Sequence, residues 1–435
     1  MNFFDSYQTL LEYRKDPLAF FIKCFKKNGH TTYLNIFGKK LLIISRPEDV
    51  MHVLKNNHGS YSKGRTTKAL AKFLGKGLVT NDDMDSWRKQ HRLVRPMMNP
   101  KGISELAPKI LETCLEFLPQ MERPEGVNAF REMNRLTWRI VLRTLFSQDS
   151  NPEMEEWLED ILELMKTVTH KTRSIVPVPF WVPTKRHVRM KQIIARFDRY
   201  VYGLIQERRS GTRKDDLIQL LIETKDGDTP RMSDREVRDE VMTFLMAGHE
   251  TITNTMTWTL IELARNKEVL VPVREEARLF LETKDPELLG ASPWMSAVID
   301  EVMRLWPSVW VFMRQAEKED TVDGHKVSVG ANVVLATYLS HHAPDLWENP
   351  EAFIPQRFLD KRKVHPGAFY PFGQGPRACI GAHFALVEAK TILATLSHFF
   401  DWDIISPASQ SSAAEITLRP TSNLMMSFRR RHVSI

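Results

Sequence analysis

The sequence predicts a mainly α fold with a minor β region, carried by one large domain over residues 1–435. Three observations lead there. Apolar residues recur at three- and four-residue intervals over long stretches, notably 104–118, 154–168 and 188–208. Strand patterns are short and few, at 31–37, 41–44 and in a hairpin near Asn423 and Leu424. The motifs with chemical content are spread from Trp87 to Gly381, and no internal repeat or low-complexity tract divides them. A hydrophobic content of 42 % is ample for a core of that size.

In chain order, the runs 31–37 and 41–44 read as a hairpin turned at Gly38, and Pro47 then opens a helix at its favoured first position. The loop that follows supplies the apolar candidates Leu70, Phe73, Leu74, Leu78 and Val79. Trp87-Arg88-Lys89-Gln90-His91, with Arg92 and Arg95, forms a basic amphipathic turn ahead of Pro96. Four residues apart, Trp87 and His91 face the same way, and both can donate to an anion. A long helix starts at Ser233, whose capping box with Glu236 precedes apolar positions at Val237, Val241, Phe244, Leu245 and Gly248. If it runs to Ala264 it spans roughly 45 to 50 Å, enough to cross the domain.

Within that helix lies Ala247-Gly248-His249-Glu250-Thr251. The small Ala247 and Gly248 leave room beside the helix, and Thr251 can bond back to a carbonyl one turn earlier and open a local groove. A zinc site of the His-Glu type fails, because position 253 is Thr instead of the second histidine. Glu301 and Arg304 share one face of the helix that Pro307 ends, a pairing worth only about 0.2 to 0.5 kcal/mol on a surface. Val309, Trp310, Val311, Phe312 and Met313 make an apolar run before Arg314. Loops are expected at 209–215, 226–231 and 406–413, where charge, Gly, Pro or Ser clusters interrupt the helical patterns.

Cys379 carries the most information. It lies in Pro371-Phe372-Gly373-Gln374-Gly375-Pro376-Arg377-Ala378-Cys379-Ile380-Gly381, a glycine-punctuated loop that runs into a helical pattern. Glycines at 373, 375 and 381 let backbone approach a flat cofactor, and Pro376 stiffens the loop. A helix starting near Ile380 would aim N–H groups at the sulfur and lower its pKa.

The spacing Phe372-Gly373-x-Gly375-x-Arg377-x-Cys379-x-Gly381 resembles the haem-binding loop of the cytochrome P450 family, whose cysteine thiolate is the axial iron ligand. The Ala247–Thr251 segment, Glu301 with Arg304, and Trp87 with His91 match the family in the right order, so the resemblance covers the chain from about His30 onward. It implies haem b as cofactor, with Cys379 on the metal and Phe372 and Gly381 beside it. It implies that Glu250 and Thr251 relay protons on the oxygen-binding side, where Ala247 borders the haem. Trp87, His91, Arg314 and Arg377 become propionate partners, since guanidinium forks suit carboxylates. Arg357, in Pro355-Gln356-Arg357-Phe358, would close a buried Glu301–Arg304–Arg357 network beneath the loop. The chain departs from the commonest family form at Gln356, where an acid is frequent, and at His91, where many members have arginine. For the substrate pocket the candidates are Phe73, Leu74, Leu78, Val79, Phe244, Val309, Val311, Phe312 and Leu424, all apolar as pockets tend to be.

Cys24, Cys114 and Cys379 offer no disulfide framework, which suits a reducing, cytoplasmic setting. The N-terminal apolar segment 17–22 is too short to span a membrane. A net charge of +7 and the run Phe428-Arg429-Arg430-Arg431-His432 come with no nucleic-acid recognition motif. The resemblance gives basic charge another use, the steering of an acidic electron carrier. It implies a separate ferredoxin or flavodoxin with its NAD(P)H reductase, because no reductase sequence follows the haem region. The expected reaction is monooxygenation of an apolar substrate, first a fatty acid, then a terpenoid or similar lipid. Alternatives are a peroxide-driven peroxygenase, which usually lacks the acid–alcohol pair, and a non-catalytic haem sensor.

Overall fold

The computed structural model describes residues 3–174, 178–224, 231–360, 362, 364–406, 412–420 and 424–433. Asn423 and the greater part of two expected loops, 226–230 and 407–411, lie outside them. The mainly helical expectation holds, with small sheets at the periphery.

Helices begin where short polar side chains can take up orphan backbone donors. Asp83, Asn99, Asn128, Asn151, Thr184 and Asp216 each accept an N–H three residues on, a device worth about 1 kcal/mol per helix. Pro47 does open a helix, Pro47–Met51. The helix Met84–Met98 passes through Pro96, which the sequence suggested as its limit; a proline in the last turn forfeits only one backbone bond.

The first hairpin forms as read, Thr31–Ile36 pairing with Lys39–Ile44, and its two-residue turn places both Phe37 and Gly38 at positive φ. Lys39–Ile44 is joined in parallel by Asn332–Leu335, then come Phe312–Ala316 and Tyr61–Lys63, giving a five-stranded sheet. That order sets Lys63 directly opposite Arg314 on neighbouring strands.

The helix Asp234–Arg265 is the axis of the main core. Its capping box is present, and 32 residues give it a length of roughly 48 Å. Nearly every residue from Val237 to Leu263 is buried, against Trp138, Phe146, Phe197 and Trp402 among others. A second cluster, with Phe20, Phe21 and Trp310, seals the N-terminal helices to the sheet.

Candidate functional site

The cysteine loop is built by two left-handed glycines and one backbone bond. Gly373 and Gly375 have φ of 71° and 74°, and a side chain at 375 would fall 2.1 Å from the carbonyl oxygen of Leu54. The Cys379 N–H donates to the Phe372 carbonyl at 2.9 Å, closing the loop. Gly381 differs, since its φ of −85° is ordinary and a Cβ there would meet nothing closer than 3.9 Å. Its N–H instead points at the sulfur. Cys379 keeps accessible surface although protein surrounds it at longer range, as a thiol facing an internal cleft does. Burial pushes the Cys379 thiol up, and the Gly381 N–H opposes that rise. Cys24 and Cys114 are free and buried, and burial raises both thiols.

On the central helix, Ala247 is exposed and Gly248 and Thr251 are half-buried in an otherwise closed surface. Thr251 Oγ1 donates to the Ala247 carbonyl at 3.0 Å, as expected. The helix runs unbroken from Asp234 to Arg265, and Thr253, Thr255, Thr257 and Thr259 bond back in the same way. Gly248 has a packing role: a Cβ there would come within 3.1 Å of Val141 on the helix Ala129–Phe146. The bare patch is therefore Ala247. His249 is a core residue, edge-on to Trp138, bonded to the Leu245 carbonyl and held by burial down to about 4. Glu250 is buried and does not bond its neighbour. Its Oε1 accepts from Thr417 Oγ1 at 2.6 Å, and burial raises its carboxyl against the pull of Thr417 and Arg419.

On the cationic side, Trp87 and His91 pack ring against ring at 4.9 Å, and the Arg377 guanidinium lies 5.1 Å over Trp87. Arg377 also donates to the carbonyls of Asn81 and Asp82, at 2.6 and 3.2 Å, so much of its fork is committed to protein. Arg314 makes no ion pair among the described residues, and burial with nearby Arg377 pushes it down to about 10. Desolvated positive charge without a carboxylate partner is costly unless an anion completes it.

Glu301 and Arg304 are fully buried and joined by two bonds of 2.8 and 2.9 Å. Arg357 Nε reaches Glu301 at 3.1 Å, and Arg304 also donates to the carbonyls of His341, Pro350 and Ala352. Gln356 is no part of this set.

A family description, cytochrome P450, matches residues 5–428. The chain belongs to the cytochrome P450 family. It is 29 % identical to cytochrome P450 132 of Mycobacterium bovis over 93 % of this chain and 91 % of that protein. Cyclooctatin synthase of Streptomyces melanosporofaciens is also 29 % identical, over 89 % of this chain and 86 % of the relative. Cyclooctat-9-en-7-ol 5-monooxygenase of the same organism is 29 % identical over 88 % and 84 %. As a cytochrome P450 the protein is a haem-thiolate monooxygenase, an oxidoreductase of a family that generally works with redox partners on apolar substrates. No helix among the described residues is long and apolar enough to cross a membrane.

The pocket candidates of this P450 divide by packing. Val79, Val309, Val311 and Phe312 keep open surface, and Phe312 lies against Gly373 of the cysteine loop. Phe73, Leu74, Leu78, Phe244 and Leu424 are closed over by core neighbours, Phe73 by Phe197. Sequence reasoning missed Lys63, Asp239, Glu240 and Thr417. All four are ordinary polar residues along the chain, and only their tertiary partners distinguish them.

Proposed function

We propose that the protein binds haem b through Cys379 and inserts one oxygen atom of O2 into a C–H bond of an isoprenoid hydrocarbon or alcohol. The donor set suits the cofactor: an accessible thiol on a glycine-built loop, the bare Ala247 patch, and Arg314 with no ion pair among the described residues. Haem b, once bound, supplies oxygen activation and electron transfer. The chain's own tasks follow from its side chains. Cys379 gives the thiolate, steadied by the Gly381 N–H; Arg314, Trp87 and His91 bind the propionates, with Arg377 stacked behind Trp87. Thr251 offers a hydroxyl at the edge of the bare patch and holds or passes a proton at Oγ1, while Glu250, one residue away, is an acid reserve steadied by Thr417.

The isoprenoid reading draws on the named activities of two relatives. The fatty acid expected first draws no support from the named activities of these two relatives. Electrons come from a ferredoxin or flavodoxin with its NAD(P)H reductase, which the exposed basic residues would attract.

The accessible Cys379 thiol carries this reading, and its replacement tests it. Cys379→Ala and Cys379→His should lose the strongly red-shifted Soret band of the reduced, carbon monoxide-bound protein. Retention of the band would place the ligand at Cys24 or Cys114. Titration with dodecanoic acid, geranylgeraniol and a cyclic diterpene alcohol, read in the haem spectrum, should give the tightest binding for an isoprenoid. Product formed with hydrogen peroxide alone, as fast as with O2 and a redox chain, would favour the peroxygenase alternative.

A further inference from the structure

Segment 75–79 lies flush on the first turns of the central helix. A Cβ at Gly75 would fall 2.0 Å from the Asp239 carboxylate, and one at Gly77 would fall 2.2 Å from Thr243 Oγ1 and 2.5 Å from the Asp239 carbonyl. The Lys76 N–H donates to Asp239 Oδ2 at 2.7 Å, and the Leu78 N–H to Glu240 Oε2 at 3.2 Å. From the other side, the buried Lys63 ammonium donates to the carbonyls of Leu78 and Val79 at 2.9 and 2.5 Å. A loop backbone is thus held by acidic side chains on its donors and a buried lysine on its acceptors.

Glu240, Thr243, Ala247 and Thr251 follow one another at three- and four-residue steps, so they share a helix face. Segment 75–79 covers one end of that face, and the bare Ala247 patch begins where it stops. Beyond it the chain continues to Asn81 and Asp82, whose carbonyls hold Arg377 two residues before Cys379. The Lys63 N–H also donates to Asp82 Oδ1 at 2.7 Å.

We propose that Asp239, Glu240 and Lys63 are positioning residues that latch segment 75–79 to the central helix, fixing one end wall of the substrate cleft and the seat of Arg377. The inference rests on the reading of that cleft as the substrate site. It explains two glycines within three residues: any side chain at 75 or 77 would lift the loop off the helix and move Val79, the open side chain of this wall.

The test uses the haem-loaded protein with Glu240→Leu, Glu240→Gln and Gly77→Ala. Hydrogen exchange in 75–81 should accelerate at least tenfold in Glu240→Leu and Gly77→Ala and stay near wild type in Glu240→Gln, which keeps an acceptor for the Leu78 N–H. Imidazole and 1-dodecylimidazole serve as ligands, since both bind haem iron and only the second fills the cleft. The preference for the long ligand should fall at least fivefold in the two disruptive variants. Unchanged exchange overturns the latch. Faster exchange with an unchanged ligand preference overturns its role in the cleft. A wild-type protein lacking the thiolate band counts against the haem-thiolate reading instead, and exchange still decides the latch.

Discussion

Thr417 donates its hydroxyl to Glu250 Oε1 at 2.6 Å across 167 residues of sequence, so the acid beside Thr251 is held from the turn between the paired strands Ser412–Ala414 and Leu418–Pro420 and not by its neighbour. The acid and the alcohol are adjacent in the chain yet bonded in different directions. Whatever proton traffic passes between them must bridge that gap, through water or through movement of the Glu250 side chain.

Thr417→Val should therefore raise the Glu250 carboxyl further, since burial already raises it and Thr417 is the chief group lowering it. The expected outcome is poorer coupling of NAD(P)H use to product with haem binding intact. Thr251→Ala should uncouple more strongly at a stability cost of about 1 kcal/mol, the net worth of one hydrogen bond. Stoichiometry of NAD(P)H, peroxide and product checks both; full coupling in Thr251→Ala would reduce that residue to a helix member.

Glu301→Gln should cost about 3 to 5 kcal/mol, because Arg304 and Arg357 would keep buried charge without its counter-ion. Urea unfolding of the haem-loaded protein measures the loss. A cost under 1 kcal/mol would mean the backbone carbonyls around Arg304 suffice.

Glu240 should make stability depend on pH. Burial raises its carboxyl from 4.5 to about 8 against the lowering effects of the Leu78 N–H and Lys63, with Asp239 and Glu236 adding to the rise. A carboxyl raised in the folded state contributes stability that is complete below about 4.5 and is lost as pH climbs through about 8. Lys63, pushed down to about 7 by burial and by Arg377 and Arg314, loses its contribution in the opposite sense, as pH falls through about 7. Glu240→Gln should flatten the decline between pH 4.5 and 8, read as thermal midpoints across that range. An unaltered profile would show that the carboxyl titrates near its usual value.

Charge reversal at Lys89 should slow reduction by a ferredoxin and leave ligand affinity unchanged, with a rate that falls as salt rises. Arg88 is a weaker probe, because it already pairs with Asp85 at 3.0 Å. Stopped-flow reduction rates indifferent to both salt and reversal would exclude docking on this helix. Screening beyond about 8 Å at physiological salt makes the encounter the sensitive step.

What the sequence determined by itself is what local spacing can encode. The cysteine loop needs glycines with left-handed backbone at 373 and 375, the central helix announces itself by Ser233 and Glu236, and the Glu301–Arg304 pair is one helical step apart. Each is a relation among near neighbours, where backbone sterics and helix geometry leave few choices. The tertiary structure decided which faces those residues present. Gly248 serves Val141, His249 serves Trp138, Glu250 turns to Thr417, and Phe73 is closed over by Phe197. Lys63, Asp239 and Glu240 acquire meaning only because a strand, a loop and a helix far apart in sequence pack together. Packing is a contest among all elements for one volume, and no single segment carries its outcome.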